Sequence, residues 1–335
     1  MVKHYTIPVF IPELACPFQC VFCDQRKISG SLKAPDLDEV HQIIQKHLKT
    51  LPEDKAHIEI GFFGGNFTGI SEEDQSAYLN VAQHYIDQER VHSIRLSTRP
   101  DYISEEVLKL LKAYTVKTIE LGAQSLDEGV LIKSGRGHTA QDVIESSKRI
   151  IDGGFNLGLQ MMLGLPGDTF EKSLETAKQI VQLKPRDVRI YPTLVIQGTE
   201  LAELYKEGEY EPLSLETAVF WTKEIYRIFQ AAKLNIIRVG LHPSEELTDS
   251  KSLIAGPYHQ SFRELVLTEL WKDRFMEKLE FDKNKSLIIY VAPQELNHAI
   301  GYSRANLKLL EEKYEAVKIK TDQKLINFSF YADCY

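Results

Sequence analysis

Short apolar runs alternate with longer amphipathic stretches from Val2 to about Val239, and this alternation constrains the fold more than any other feature of the chain. The apolar runs predict strands at residues 6–11, 58–63, 93–97, 117–121, 157–163 and 188–194. Between and after them, helical periodicity covers residues 37–48, 74–89, 105–113, 140–153, 170–183 and 215–232. Strands separated by helices of this length imply βα crossovers and therefore a parallel sheet. Six units are two short of a closed eight-stranded barrel. The expected architecture is α/β, a partial (β/α)6 TIM-type barrel over residues 1–275, with its working face at the C-terminal ends of the strands. A chain of 335 residues, 43% of them hydrophobic, supports one large core and a small second domain. No apolar run is long enough to span a bilayer, so no membrane partner is expected.

The strand ends themselves support that face. Cys16, Cys20 and Cys23 follow strand one, and Gly64-Gly65-Asn66 follows strand two. Ser97–Asp101 follows strand three, and Gln124-Ser125 follows strand four. Gly164-Leu165-Pro166-Gly167 and Gln197-Gly198-Thr199 follow strands five and six. Polar and glycine-rich residues collect at one end of every strand, which a solvated loop would do once or twice but not six times. Gly64-Gly65 lets the backbone approach a ligand closely, or is simply a strand-ending turn. Ser125 reads as a helix N-cap. Arg136 is a candidate for a carboxylate or a phosphate. His138 reads as a structural or capping residue. Alternation leaves open whether Gln160 faces the lumen or the helices.

The cysteines are spaced Cys-x3-Cys-x2-Cys in the run Ala15–Cys23. That gives three thiolates to one centre, with no fourth ligand nearby. A 4Fe–4S cube has four irons, so three cysteines leave one iron open to a ligand that is not protein. Zinc is the alternative, with Cys20 and Cys23 as a Cys-x2-Cys pair, but a second pair is lacking. A disulfide framework would require export, and the N-terminus has no apolar signal-peptide core. Four cysteines without such a framework imply a reducing, cytoplasmic setting.

This spacing resembles the signature of the radical SAM superfamily, whose open iron chelates S-adenosylmethionine (SAM). The resemblance implies a 4Fe–4S cluster on Cys16, Cys20 and Cys23, shielded by Phe18 and Phe22. It implies that Gly64, Gly65 and Asn66 correspond to a Gly-Gly-Glu-like motif receiving the SAM amino group, with Asn66 a weaker polar variant. It places Gln124, Ser125, Arg136 and Gln160 around the same cofactor. A narrower resemblance is to the radical SAM domain of the elongator catalytic subunit. It is carried in order by Ser97–Ile103, Glu120–Ser125, Arg136–Thr139, Met162–Gly167, Ile190–Thr199, Arg238–Gly240 and Phe262–Leu265. This chain departs from that family at Ser97, where the family has Glu. The segment after residue 270 is also expected to be too short for the family's acetyltransferase domain. A weaker resemblance is to oxygen-independent coproporphyrinogen oxidase, which acts on a small molecule, through Gly122–Ser125, Arg136–His138 and Gly164–Gly167.

The pattern changes after Lys283. Strands are expected at 286–292, 316–320 and 325–330, with helices at 294–300 and 305–314 around a turn at Gly301–Arg304. Residues 284–335 resemble a KH module, similar to the KH repeats of a bacterial transcription elongation factor, giving a small C-terminal α+β domain. The Gly-x-x-Gly loop of such modules clamps a nucleic-acid backbone. Here Arg304 replaces the second glycine, and Gly301, Arg304 and Lys308 are the candidate RNA contacts. Net charge is −8, from 40 Lys and Arg against 48 Asp and Glu. That disfavours an extended nucleic-acid surface but not a local basic patch, and no DNA partner is expected.

The expected function is reductive cleavage of SAM to a 5′-deoxyadenosyl radical, aimed at RNA, most simply tRNA. A one-electron reductant is the implied second partner. Two alternatives stay open: a radical SAM enzyme of a small molecule, and a cluster-bearing RNA-binding regulator without catalysis. No side chain beyond the cofactor ligands is assigned to catalysis by sequence.

Overall fold

The computed structural model describes residues 3–12, 20–24, 33–52, 56–241 and 252–335. Its main sheet has strands β1 (Lys3–Phe10), β2 (Ala56–Phe63), β3 (Ser93–Thr98), β4 (Val116–Gln124), β5 (Asn156–Leu163) and β6 (Asp187–Pro192). A two-residue strand, β7 (Val195–Ile196), is followed by β8 (Asn235–Val239), which returns to the main sheet beside β6. All seven strands of that sheet are parallel, in the order β1-β2-β3-β4-β5-β6-β8. The sheet curls into a half-barrel that stays open between its two edge strands. The seventh strand extends the six that the sequence predicts. Of β8 only Val239 is buried, so its apolar signal is weak.

Each strand splits its side chains between helices and lumen with period two. Ile7 and Val9, Ile58, Ile60 and Phe62, Ile94 and Leu96, and Ile119 and Leu121 face the helices and form the main core. The helices start where sequence chemistry predicts. Asp36 and Thr139 each make a capping box, with Glu39 and Asp142 respectively. Ser71, Ser104, Thr169 and Ser214 each accept from a backbone N–H of the first helical turn.

The opposite faces carry charge. On β3, Arg95 donates to Glu59 of β2 at 2.8 Å, to Glu120 of β4 at 2.7 Å and to Asp187 of β6 at 2.8 Å. Arg189 of β6 grips both oxygens of Glu120 and lies over the Phe63 ring, 5.4 Å from its centroid. Thr6 of β1 donates to Glu59, and Asn235 of β8 donates to Asp187. Burial alone would raise the Glu120 carboxyl, but Arg189 and Arg95 hold it below the usual range. Gly158 of β5 leaves room for this network: a Cβ there would lie 2.7 Å from Glu120 Cγ. The network reaches six of the seven strands and floors the lumen.

The C-terminal part is built on a second sheet. Strand β9 (Leu253–Ala255) pairs with β7 and leads into the helix Phe262–Lys278. Beyond it, β10 (Ser286–Val291) pairs in parallel with β11 (Ala316–Thr321) and antiparallel with β12 (Phe330–Cys334). Leu287, Ile289, Val291 and Leu310 share one core with Phe262, Leu270, Trp271 and Phe275, and with Ala218 and Tyr226 of the barrel's last long helix. The boundary placed at 275–284 therefore falls inside a shared core. Two tail elements differ from expectation. The helix at 294–300 is a 3-10 turn, Pro293–Glu295, followed by the helix Leu296–Ile300. The strand expected at 325–330 starts at Phe330, because Asn327 adopts a left-handed conformation and Phe328 turns inward to stack on Trp271. No helix among the described residues is long and apolar enough to cross a membrane.

Removing one member of a buried ion network leaves its partners charged and desolvated, at a cost of about 3–5 kcal/mol. Arg95→Leu takes a cationic partner from three buried carboxylates, of which Glu120 keeps Arg189, and is expected to lose about that much stability in urea melts. A loss under about 1 kcal/mol would contradict a floor held by Arg95.

Candidate radical SAM site

Loops at the C-terminal ends of the strands meet above the lumen. Ile11 N–H donates to Phe63 O at 2.7 Å, so the chain leaves β1 against the end of β2. Gly64 has φ +108°, and a Cβ there would stand 3.0 Å from the Ile11 backbone. Glycine is therefore required where the first loop crosses the second. Gly65 also has positive φ, and Asn66 is buried. The Asn66 side-chain oxygen accepts from Thr98 Oγ1 at 2.7 Å and from Arg99 N–H at 3.4 Å. That oxygen ties the second loop to the third.

Cys16 and Phe18 lie outside the described residues. Cys20 is buried and Cys23 half-buried in one tight turn, with Cys23 N–H donating to Cys20 O at 2.9 Å. Main-chain bonds pin the turn from both sides, Val21 N–H to Ser134 O and Leu201 N–H to Val21 O. Val21 and Phe22 pack with Val130, Leu165, Val195 and Leu201 in an apolar wall. Cys334 is exposed, on β12 of the C-terminal sheet.

Arg136 organises this end of the lumen. One guanidinium nitrogen donates to Cys20 Sγ at 3.1 Å, and another to Gly122 O at 2.5 Å. Its own carbonyl accepts from Arg99 at 2.7 Å, and Arg99 forms a two-pronged pair with Asp101. Iron–sulfur centres take hydrogen bonds at their cysteine sulfurs, and Arg136 supplies one at Cys20. Cys20 and Cys23 fit an iron–sulfur group, and Cys16 is the third ligand expected from the spacing.

The register between β4 and β5 slips between Gly122 and Gln124, and Gln124 adopts φ +66°. This bulge turns Gln124 to Gln160, whose amide donates to it at 3.2 Å. Gln160 thus faces the lumen, which alternation left open. Ser125 turns the other way. Its hydroxyl lies 3.4 Å from Thr176 and accepts from Asp127 N–H, and Asp127 is the N-cap. The cap predicted at Ser125 is thus displaced by two residues, since the bulge delays the helix.

His138 is buried and held as neutral imidazole, its pKa pushed down to about 3 by burial and by Arg136 and Arg99. Its Nε2 faces Ala123 O at 3.2 Å, which a neutral ring satisfies by donating from that nitrogen. The helix after it is capped by Thr139. Asp168 braces the Gly164–Gly167 turn, accepting from Gly164 N–H and Ser173 Oγ, and burial pushes its carboxyl up to about 6.

Gly301, Arg304 and Lys308 sit apart from this cluster. Gly301 has φ +83°, and a Cβ there would press on Thr268 Cγ2 at 2.9 Å and on Asn306. Its missing side chain is thus already used within the chain. Tyr302 N–H donates to Thr268 Oγ1, and the Tyr302 ring meets His259 edge-on at 5.2 Å. Arg304 is exposed, 3.7 Å from Glu311. The segment that includes His259 begins at Gly256, which abuts Thr193 and Leu194 at the end of β6. The loop therefore stands on the mouth side of the barrel.

Sequence reasoning missed Arg95, Glu120, Asp187 and Arg189. Their signal was single charges at alternate positions inside apolar strands, as in Ser93-Ile94-Arg95-Leu96-Ser97.

The radical SAM superfamily profile matches residues 11–180, and the Radical_SAM C-terminal domain profile matches residues 185–272. The chain belongs to the radical SAM superfamily, and it is related to the radical SAM region of elongator-type proteins. It is 36% identical over 135 residues to a tRNA uridine(34) acetyltransferase of Methanocaldococcus jannaschii, covering 39% of this chain and 25% of that protein. It is 29% identical over 238 residues to human Elongator complex protein 3, covering 62% of this chain and 43% of that protein. The archaeal Elp3 of Methanocaldococcus infernus shares the fold, with TM-score 0.64, 24% identity, and coverage of 83% of this chain and 64% of that one. Membership in this superfamily implies a 4Fe–4S cluster and SAM.

Two outcomes follow from Arg136 and His138. Arg136→Gln loses a charged donor to Cys20, so iron retained after anaerobic reconstitution is expected to fall, with roughly tenfold weaker retention under chelator challenge. Arg136→Lys is expected to recover part of it; equal retention in all three proteins would contradict the role. The folded pKa of His138 lies below its unfolded value of 6.5. Its contribution is therefore present above pH 6.5 and is lost as pH falls from there toward 3, because only the unfolded chain takes the proton. In urea melts across that window, His138→Gln is expected to flatten the loss. An unchanged slope would contradict the neutral assignment.

Proposed function

We propose that this radical SAM enzyme acts on RNA of the tRNA class. The similarity to a protein whose name specifies tRNA uridine 34 carries this reading. The position of the Gly301–Arg304 loop supports it. A substrate long enough to touch Arg304 and Lys308 would also lie across the barrel mouth.

Within that reading, Cys16, Cys20 and Cys23 hold the cluster, and Arg136 orders Cys20. Gly64, Gly65 and Asn66, with Gln124 and Gln160, line the SAM side of the lumen. When bound, cluster and SAM supply a one-electron cleavage that yields a 5′-deoxyadenosyl radical. The chain's own residues align the substrate and exclude water. The apolar wall of Val21, Phe22, Leu165 and Val195 closes one side, and the Arg95 network closes the bottom. A reductant donates the electron, and the setting is cytoplasmic. Ser125 is turned to the helices, so its part is to hold the bulge that presents Gln124.

The test is the nucleoside content of purified tRNA from cells with and without the protein, read by mass spectrometry. One tRNA nucleoside is expected to disappear, or its precursor to accumulate, and to recover with the wild-type chain but not with Cys20→Ala. Identical tRNA profiles would overturn the RNA reading and favour a small-molecule substrate.

A further inference from the structure

The C-terminal sheet has one covered face and one open face. Leu287, Ile289 and Val291 of β10, with Val317 and Ile319 of β11 and Phe330 and Ala332 of β12, point into the shared core. Period two sends their neighbours outward. On the outer face Tyr290 is flanked by Lys320 on β11 and Tyr331 on β12, as direct register partners. Ile288 is flanked in the same way by Lys318 and Asp333. Outward residues therefore fall into columns: Lys318 and Lys320 on one edge strand, Ile288 and Tyr290 in the middle, Tyr331 and Asp333 on the other edge.

The aromatic row is ordered. The Tyr290 and Tyr331 rings stack at 4.7 Å with planes 14° apart, and Lys320 Nζ lies 5.9 Å from the Tyr290 centroid. Tyr331 Oη donates to Asp322 at 3.1 Å, which holds the outer ring upright while it stays 43% exposed. Among the described residues Tyr331 is on an edge strand, with no further strand flanking it on that side. Among the described residues neither Lys318 nor Lys320 is held in an ion pair. Two residues apart on one strand, they are separated by about 6.6 Å, the scale of successive phosphates in an extended strand. Charge follows position: residues 284–335 hold seven Lys and Arg against six Asp and Glu, in a chain of net charge −8.

We propose that this open face is a binding platform for single-stranded RNA, in which a base stacks on Tyr331 and Lys318 and Lys320 take the phosphates. The inference rests on the RNA reading above and adds a site outside the Gly301–Arg304 loop. Rings accept any base by its π-face, and lysine columns track a backbone, so the platform reads strandedness rather than sequence. A membrane or an apolar protein surface fits less well, because Ile288 is the one aliphatic side chain among these six.

The experiment is fluorescence anisotropy of the full-length protein with a labelled oligouridine and, separately, total tRNA, over a salt series. Tyr331→Ala is expected to weaken oligouridine binding roughly tenfold with the salt slope unchanged, and Tyr331→Phe to retain it. Lys318→Gln with Lys320→Gln is expected to lower the slope by about 1.4, at about 0.7 per phosphate contact in single strands. Arg304→Gln with Lys308→Gln reports the loop separately. Wild-type affinity and slope in the face variants, with oligouridine bound by the wild type, would overturn the platform alone. If the wild type binds neither probe, the RNA reading falls with it. Thermal melts of each variant separate lost binding from lost folding.

Discussion

Everything above the lumen depends on the ion network below it. An arginine with three carboxylates in the middle of a half-barrel is costly to desolvate and costly to disrupt, and it has one geometry that satisfies all its partners. Arg95 reaches β2, β4 and β6, and Arg189 returns to β4. A one-residue slip of any of these strands would turn its charge toward the helices and its apolar residues into the lumen. The network thereby fixes the heights at which the strands end. Those heights decide whether the cysteine turn, the glycine pair and the bulged Gln124 arrive at one place.

At that place the loops hold each other more than the strands hold them. Asn66 ties the second loop to the third, Arg99 ties the third to Arg136, and Arg136 reaches Cys20. A chain of this kind holds Cys20 in place for the cluster proposed on it. It adds to the burial that keeps His138 neutral: a third positive charge beside Arg136 and Arg99 would weaken the same arrangement. Lumen-facing side chains and fold-supporting side chains are thus neighbours in sequence with separate tasks. Gln124 faces the lumen, while Ser125 next to it packs against Thr176.

The barrel was legible because strands buried on one side by helices keep their apolar residues in runs, and because the helices between them keep an amphipathic period. The cysteine spacing was legible because thiolate chemistry depends on a few residues at fixed separations. Other features were not. β8 carries too few buried side chains to announce itself. The bulge at Gln124 depends on a register slip that no local pattern encodes, so the helix cap fell on Asp127 instead of Ser125. The lumen charges were visible as residues, but their partners lie on strands far apart in sequence. Arg136 pointed to an anion, and only the fold shows its guanidinium on a cysteine sulfur. Gly301 read as a nucleic-acid contact, and the fold gives it an internal reason in Thr268 and Asn306.

The account turns on Cys20 as a ligand to an iron–sulfur cluster that cleaves SAM. The most direct measurement is formation of 5′-deoxyadenosine by the anaerobically reconstituted, chemically reduced protein, comparing wild type with Cys20→Ala. Steady release by the wild type and none above background in the variant is the predicted result. Release of 5′-deoxyadenosine by Cys20→Ala at the wild-type rate would contradict the assignment.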